Sequence, residues 1–188
     1  MIAEIGEWVL HEAAIAAARL PQNVAVSVNV SPRQFELGDI VSIVAATLAE
    51  TGLAPHRLKL EVTESVRMRK TSTYVNKLHA LREQGVNIVL DDFGSGYSSL
   101  SYLDNFRFDF IKIDKSFLAD IRHADDSKPI LEAILAMTRA LKIPVTVEGV
   151  ETQDQLDYVS RIGCSYVQGY FLARPMGLHS LLDLLQCQ

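Results

Sequence analysis

The stretch Val24-Ala25-Val26-Ser27-Val28-Asn29-Val30 decides the fold. Side chains alternate faces along a strand. Val24, Val26, Val28 and Val30 therefore share one face, and Ser27 and Asn29 share the other. The same division recurs downstream. Leu58, Leu60 and Val62 oppose Lys59 and Glu61; Ile111 and Ile113 oppose Lys112; Val145 and Val147 oppose Thr146 and Glu148. Asn87 and Asp91 extend the polar set. A flat doubly wound sheet buries both faces and needs both apolar. Here one face is apolar and takes helices, and the other is polar, most of all toward the C-terminal strand ends. That is the pattern of a barrel wall with helices outside and chemistry inside, and it puts the polar residues at the rim where barrel active sites lie.

Working outward from this strand, helical spacing is expected over 2–20, 39–51, 71–84, 128–141, 152–162 and 178–185. Short β-rich runs are expected at 24–30, 58–62, 87–91, 108–113, 144–148 and 166–168. Pro21, Gly52, Gly85 and Gly163 stop helices. Strands separated by helices imply right-handed crossovers and a parallel sheet. Six strands are expected. Length alone argues against a (β/α)₈ barrel, because 188 residues fall below the roughly 200–250 that such a barrel takes.

The chain carries 18 Lys plus Arg, 23 Asp plus Glu and a net charge of -5, with 48% hydrophobic residues. This is the composition of a globular protein, and the length suggests one domain or at most two. The acidic balance argues against binding a nucleic-acid polymer. An anionic ligand then requires a locally placed cation, such as a metal. No apolar run reaches the roughly 20 residues of a membrane span. The first ten residues carry acids and no basic segment, so no signal peptide is expected. Cys164 and Cys187 form no paired motif and read as reduced thiols of a cytoplasmic protein. The five histidines are scattered, which argues against a histidine zinc site.

Asn29, Glu61, Asp91, Asp92, Lys112, Glu148 and Gln168 all fall at or near strand ends. Each alone has an ordinary reading as a turn former, cap or ion-pair partner. Together they place polar groups from successive strands at one rim. Four converging carboxylates repel one another and call for cations. Oxygen ligands select Mg²⁺ or Mn²⁺ over zinc. Asp91 and Asp92 leave the sheet on different vectors and suit two metals, an arrangement that serves phosphodiester hydrolysis. Lys112 would orient or deprotonate the attacking water, or balance charge. The loop Phe93-Gly94-Ser95-Gly96-Tyr97-Ser98-Ser99 follows the two acids, and its glycines permit close approach to a ligand. For most of Trp8, Tyr97, Tyr102, Tyr170 and the phenylalanines, core packing is the first reading, and base stacking the second.

The stretches NVSPRQF (from Asn29), LEVTES (from Leu60), LDDFGSGYSSL (from Leu90), FIKIDKSF (from Phe110), TVEGVET (from Thr146) and QGYFLARP (from Gln168) resemble the EAL-domain family of cyclic-di-GMP phosphodiesterases. The resemblance implies one domain over 1–188, an α/β TIM-like (β/α) barrel that cleaves cyclic-di-GMP to linear pGpG with Mg²⁺ or Mn²⁺. It implies Asn29, Glu61, Asp91, Asp92 and Glu148 as metal ligands, and Glu148 also as metal-site residue or general base. Lys112 would hold or activate water, Gln168 and Glu151 would support the site, and Glu64 would anchor the loop after Asp92. The chain departs from the family in one large respect. The name-giving Glu-Ala-Leu is absent, and Glu12-Ala13-Ala14 within the first helix is no substitute. That motif's Glu is a metal ligand in the family, and it lies on a strand before the segment that begins here. The expectation is an incomplete barrel lacking its first strands, with regulatory, sensor or GGDEF domains upstream in a longer parent. Six strands do not readily close an eight-stranded wall. Open edges expose backbone groups, and these are expected to make a homodimer. The isolated chain is expected to be weakly active or inactive. A nucleotide-sensing or protein-interaction module without turnover is the alternative.

Overall fold

A computed structural model describes residues 2–63, 72–94 and 106–186. Six parallel strands form one sheet in sequence order: β1 (Val26–Asn29), β2 (Leu58–Thr63), β3 (Asn87–Phe93), β4 (Phe110–Ile113), β5 (Val145–Val147) and β6 (Tyr166–Val167). The helices are α1 (Ile2–Ala18), α2 (Pro32–Leu37), α3 (Ile40–Thr51), α4 (Ser72–Glu83), α5 (Pro129–Ala140), α6 (Gln153–Arg161) and α7 (Leu178–Gln186). Glu64, Tyr97, Tyr102 and Cys187 lie outside the described residues, as does most of the glycine-rich loop.

The alternation in the strands sets the layers. Val28, Val30, Leu58, Leu60, Val62, Ile111, Ile113, Val145 and Val147 are buried, together with Ile88 and Leu90 of β3. They join Leu10 and Ala14 of α1, Val44 of α3, Leu78 and Leu81 of α4, Leu131 and Leu135 of α5 and Tyr158 of α6 in one core. The sheet curls strongly about its polar face. Lys59 Nζ of β2 lies 3.7 Å from the ring centroid of Phe110 in β4 and 5.7 Å from that of Tyr166 in β6. In a flat sheet, strands four positions apart stand roughly 19 Å apart. The structure is thus a part-barrel, open at β1 and β6 among the described residues.

Local chemistry explains the element ends. Asp39 caps α3 by accepting from the Ser42 N–H, and Gly52, at φ 66°, closes it in the left-handed conformation that glycine adopts without strain. Helix α2 starts just past Asn29 and is absent from the helices expected from the sequence. Pro32 occupies the first helical turn, and Gln34 Oε1 accepts from the Ser31 N–H at 2.9 Å. Arg57 is buried, and its guanidinium donates to the carbonyls of Ala17 in the last turn of α1 and of Leu20, Pro21 and Val24 beyond it. The core reading of the aromatics holds for Phe35, Phe93, Phe106 and Phe108, which are buried, but not for Trp8 and Tyr170, which are exposed. Trp8 and Tyr170 belong to surfaces flanking the two open ends of the sheet.

Candidate metal centre

Strand register builds the site. Asn29 pairs with Glu61, and Thr63 pairs with Asp91. Between β3 and β4 the pairing slips: Leu90 faces Ile111, while Phe93 faces Ile113. Two residues of β3, Asp91 and Asp92, thus oppose Lys112 alone. This is a bulge, which re-aims side chains at active-site rims. Asp92 takes up the extra residue at φ 55°, a left-handed conformation that costs a non-glycine residue about 1–3 kcal/mol and concentrates at functional sites. The bulge removes the usual alternation, so neighbouring aspartates converge. Carboxylate oxygens of Asp91, Asp92 and Glu148 lie within 4.8 Å of one another.

Lys112 stands at the centre. Its Nζ lies 2.9 Å from Glu61 Oε2, 2.7 Å from Glu148 Oε1 and 3.3 Å from Asp91 Oδ1. It reaches Glu61 across the whole of β3, which the curl of the sheet permits. Glu61, Asp91 and Lys112 are 5%, 8% and 9% exposed, so these charges interact through protein more than through water. Burial disfavours the charged lysine. The hydrogen bonds it donates to Glu148 and Glu61, with the charges of Glu61 and Asp91, outweigh it and hold the ammonium's pKa above the ordinary lysine range. Burial pushes the Glu148 carboxyl up, and the charges of Asp91 and Glu61 add to this against the Lys112 hydrogen bond. Burial, then the charges of Asp91 and Asp114, raise Asp92.

One ammonium faces four carboxylates here. Asp91 Oδ1 is buried and accepts no hydrogen bond among the described residues, its 3.3 Å approach to Lys112 being an ion-pair contact only. An oxygen-rich pocket with excess negative charge and an unsatisfied buried acceptor fits a hard divalent cation. Asp91, Asp92 and Glu148 are the residues that could hold it, with Glu61 tied in through Lys112.

The other expected residues occupy the rim differently. Asn29 is exposed on the edge strand beside Glu61 in register. Gln168 is exposed; its backbone N–H donates to the Val147 carbonyl and its carbonyl accepts from the Val150 N–H. Glu151 is exposed, and its N–H donates to Gln155 Oε1 at 2.7 Å. Two contributors were not foreseen. Asp114, whose charge reaches Asp92, follows β4 in the run Lys112-Ile113-Asp114 and carries the same rim signal as the other acids. Gln155 stands three residues after Thr152, the spacing of a capping box, which signals a helix start and nothing of the site.

The family described as EAL domain matches residues 1–175. The bifunctional diguanylate cyclase/cyclic di-GMP phosphodiesterase MucR of Pseudomonas aeruginosa is 40% identical over 188 residues, covering 97% of this chain and 27% of MucR. The MucR phosphodiesterase structure in complex with c-di-GMP superposes with a TM-score of 0.88 at 40% identity, covering 96% of this chain and 75% of that one. The EAL domain of Mycobacterium smegmatis DcpA gives a TM-score of 0.91 at 34% identity, covering 100% and 86%. The manganese/c-di-GMP complex of Klebsiella pneumoniae BlrP1 gives 0.83 at 30% identity, covering 92% and 45%. The chain spans about a quarter of the length of the curated relatives it matches. With a family match over almost its whole length and the part-barrel and acidic rim in place, the chain belongs to the EAL domain family.

Proposed function

We propose that this domain hydrolyses cyclic-di-GMP to linear pGpG with Mg²⁺ or Mn²⁺ held by Asp91, Asp92 and Glu148, with Glu61 and Asn29 completing the ligand set. The observation that carries the reading is the buried acidic cluster around Lys112, with Asp91 Oδ1 lacking a hydrogen bond. The relatives' c-di-GMP and manganese complexes support the substrate and the metal. When bound, the divalent ions would polarise a phosphoryl oxygen and lower the pKa of a water.

The residues divide the remaining work. Lys112 donates from its ammonium and orients the attacking water, since its raised pKa keeps it charged at neutral pH. Glu148, whose carboxyl sits above the ordinary range, accepts the water's proton as general base. The water oxygen forms a bond to phosphorus as the bond to one 3′ oxygen breaks. That oxygen leaves as a hydroxyl, taking up the proton that Glu148 accepted from the water, and the phosphate stays on the 5′ side, as pGpG requires. Gln168 and Glu151 support the rim.

The sequence contains no Glu-Ala-Leu, the source of one family metal ligand. The isolated chain is accordingly weakly active, or binds nucleotide without turnover. The reading includes a cytoplasmic setting, sensor or GGDEF domains elsewhere in a longer parent, and pairing of two copies through the open β1 and β6 edges. Exposed Trp8 on α1, and Tyr166, Tyr170 and Phe171 at and after β6, support that pairing. Among the described residues no helix is long and apolar enough to cross a membrane. The test is chromatography of cyclic-di-GMP incubated with the chain and Mn²⁺. Slow pGpG formation, abolished by chelator and by Asp91→Asn, is expected. Formation unaffected by chelator would contradict the metal, and rapid turnover would contradict the missing ligand.

A further inference from the structure

Beside Glu61 on β2, the charged cluster is carried by three strand ends: Asp91 and Asp92 on β3, Lys112 on β4, and Glu148 just past β5. One short 3₁₀ turn, Lys115–Leu118, touches all three segments. It follows β4 directly and opens on Asp114, whose carboxylate accepts from the Ser116 N–H at 3.0 Å. On one side lies Gly94, two residues past Asp92. A Cβ built on Gly94 would fall 2.6 Å from two carbons of the Phe117 ring. On the other side lies Gly149, the residue after Glu148. A Cβ there would fall 2.3 Å from Lys115 Cβ. Both neighbouring chains therefore press on the turn at distances only glycine permits.

A third contact ties the β5 side more firmly. Gln155 Oε1 accepts from the N–H groups of Glu151 and Thr152 at 2.7 and 3.2 Å. Its Nε2 donates to the Leu118 carbonyl at 3.2 Å. The first half is ordinary helix capping. The second half is not, because Leu118 lies in a different loop, 37 residues away in sequence. A primary amide accepts and donates at once, so one side chain binds the segment after Glu148 to the turn after Lys112.

We propose that the turn Lys115–Leu118 is a clasp that fixes the spacing of the three strand ends, with Gln155 and Phe117 as positioning residues acting through it on Glu148 and Asp92. The carboxylate oxygens it holds together lie within 4.8 Å of one another, and like charges that close repel. Without a restraint from outside the cluster, the loops would relax by separating. The clasp stands on geometry; its consequence for metal binding rests on the function proposed above.

The test compares Gln155→Ala with Thr152→Ala in the full chain. Thr152 Oγ1 accepts from the Gln155 N–H and caps α6 without touching the turn. Both variants are expected to lower Tm similarly. Hydrogen exchange separates them. Gln155→Ala should speed exchange at 115–121 as well as at 149–155, whereas Thr152→Ala should speed it only around 152–156. Gln155→Glu keeps both accepted bonds and loses the donation to Leu118, so it should also loosen 115–121. Phe117→Ala should speed exchange at 92–94. In Mn²⁺ calorimetry, Gln155→Ala should bind roughly tenfold more weakly, the low end for groups that orient metal ligands, and Thr152→Ala within about twofold of the parent. Exchange changes confined to 149–156 in Gln155→Ala and Gln155→Glu overturn the clasp, as does equal weakening by Thr152→Ala. If the parent chain binds no Mn²⁺, the metal reading fails while the exchange result still decides the clasp.

Discussion

Replacing Lys112 with Met removes the ammonium that, alone among the described residues, contacts Glu61, Asp91 and Glu148, at 2.9, 3.3 and 2.7 Å, while keeping most of its length. Breaking a buried ion pair from one side costs about 3–5 kcal/mol, because the other charge stays buried and unpaired. A carboxylate can escape that cost by taking up a proton. From the ordinary glutamate value of 4.5, neutralising one costs about 3.4 kcal/mol at about pH 7 and about 0.7 kcal/mol at about pH 5. Lys112→Met should therefore lose about 3–4 kcal/mol of stability near neutral pH in chelator, and about 1 kcal/mol near pH 5. The sign follows from linkage. Without the ammonium, the folded carboxylates titrate above their unfolded values, so their contribution is present at low pH and is lost as pH rises through the folded values. Mn²⁺ should recover more stability in the variant than in the parent if it enters the vacated charge field, with about 2.7 kcal/mol available at a hundredfold excess over Kd. Urea denaturation at the two pH values, with chelator and with Mn²⁺, makes the measurement. A variant within about 0.5 kcal/mol of the parent at neutral pH, or a penalty that grows on acidification, would refute the reasoning.

Three further outcomes are expected. Gly94→Ala combines a φ of 91° with a Cβ placed 2.6 Å from the Phe117 ring, and should cost about 1–3 kcal/mol in urea denaturation; a neutral result would mean the segment shifts freely. Glu148 and Asp92 titrate above ordinary carboxylates and must be ionised to hold a cation. Mn²⁺ affinity should thus begin to fall, on acidification, at a higher pH than ordinary carboxylates require, and calorimetry across that range would show a flat profile if the two groups were not ligands. Light scattering should find the chain as a dimer, and a stable monomer with slowly exchanging amides in β1 would count against pairing through the open edges.

The period-two pattern of 24–30 carried the layers of the fold because it is a local property: each strand states which of its faces is apolar. It carried the curl only indirectly, through the polarity of the inner face. The convergence of Asp91 and Asp92 was not legible. Two adjacent strand residues should point to opposite faces, and what redirects them is a slip in pairing with β4 and a left-handed Asp92. Neither is encoded within the stretch itself. Helix α2 is legible in Ser31-Pro32 with Gln34, which carries a helix-start signal, but at six residues it is too short to show a helical period. Arg57 could not have been placed, because a lone arginine in a loop looks solvated until the four carbonyls it serves are brought to it from a distant helix end. The sequence marks Lys112 only as a water-orienting or charge-balancing candidate; its central place depends on which carboxylates come within reach, and Glu61 does so only across β3.

The account turns on whether the acids around Lys112 hold a divalent cation. Calorimetric titration of Mn²⁺ into the chain and into Asp91→Asn, with thermal unfolding to verify that both are folded, tests this most directly. The parent should bind, and Asp91→Asn should bind at least about tenfold more weakly with little change in Tm, since the substitution removes a ligand charge and leaves the packing. Equal affinity in the two folded proteins would place the metal elsewhere and contradict the account.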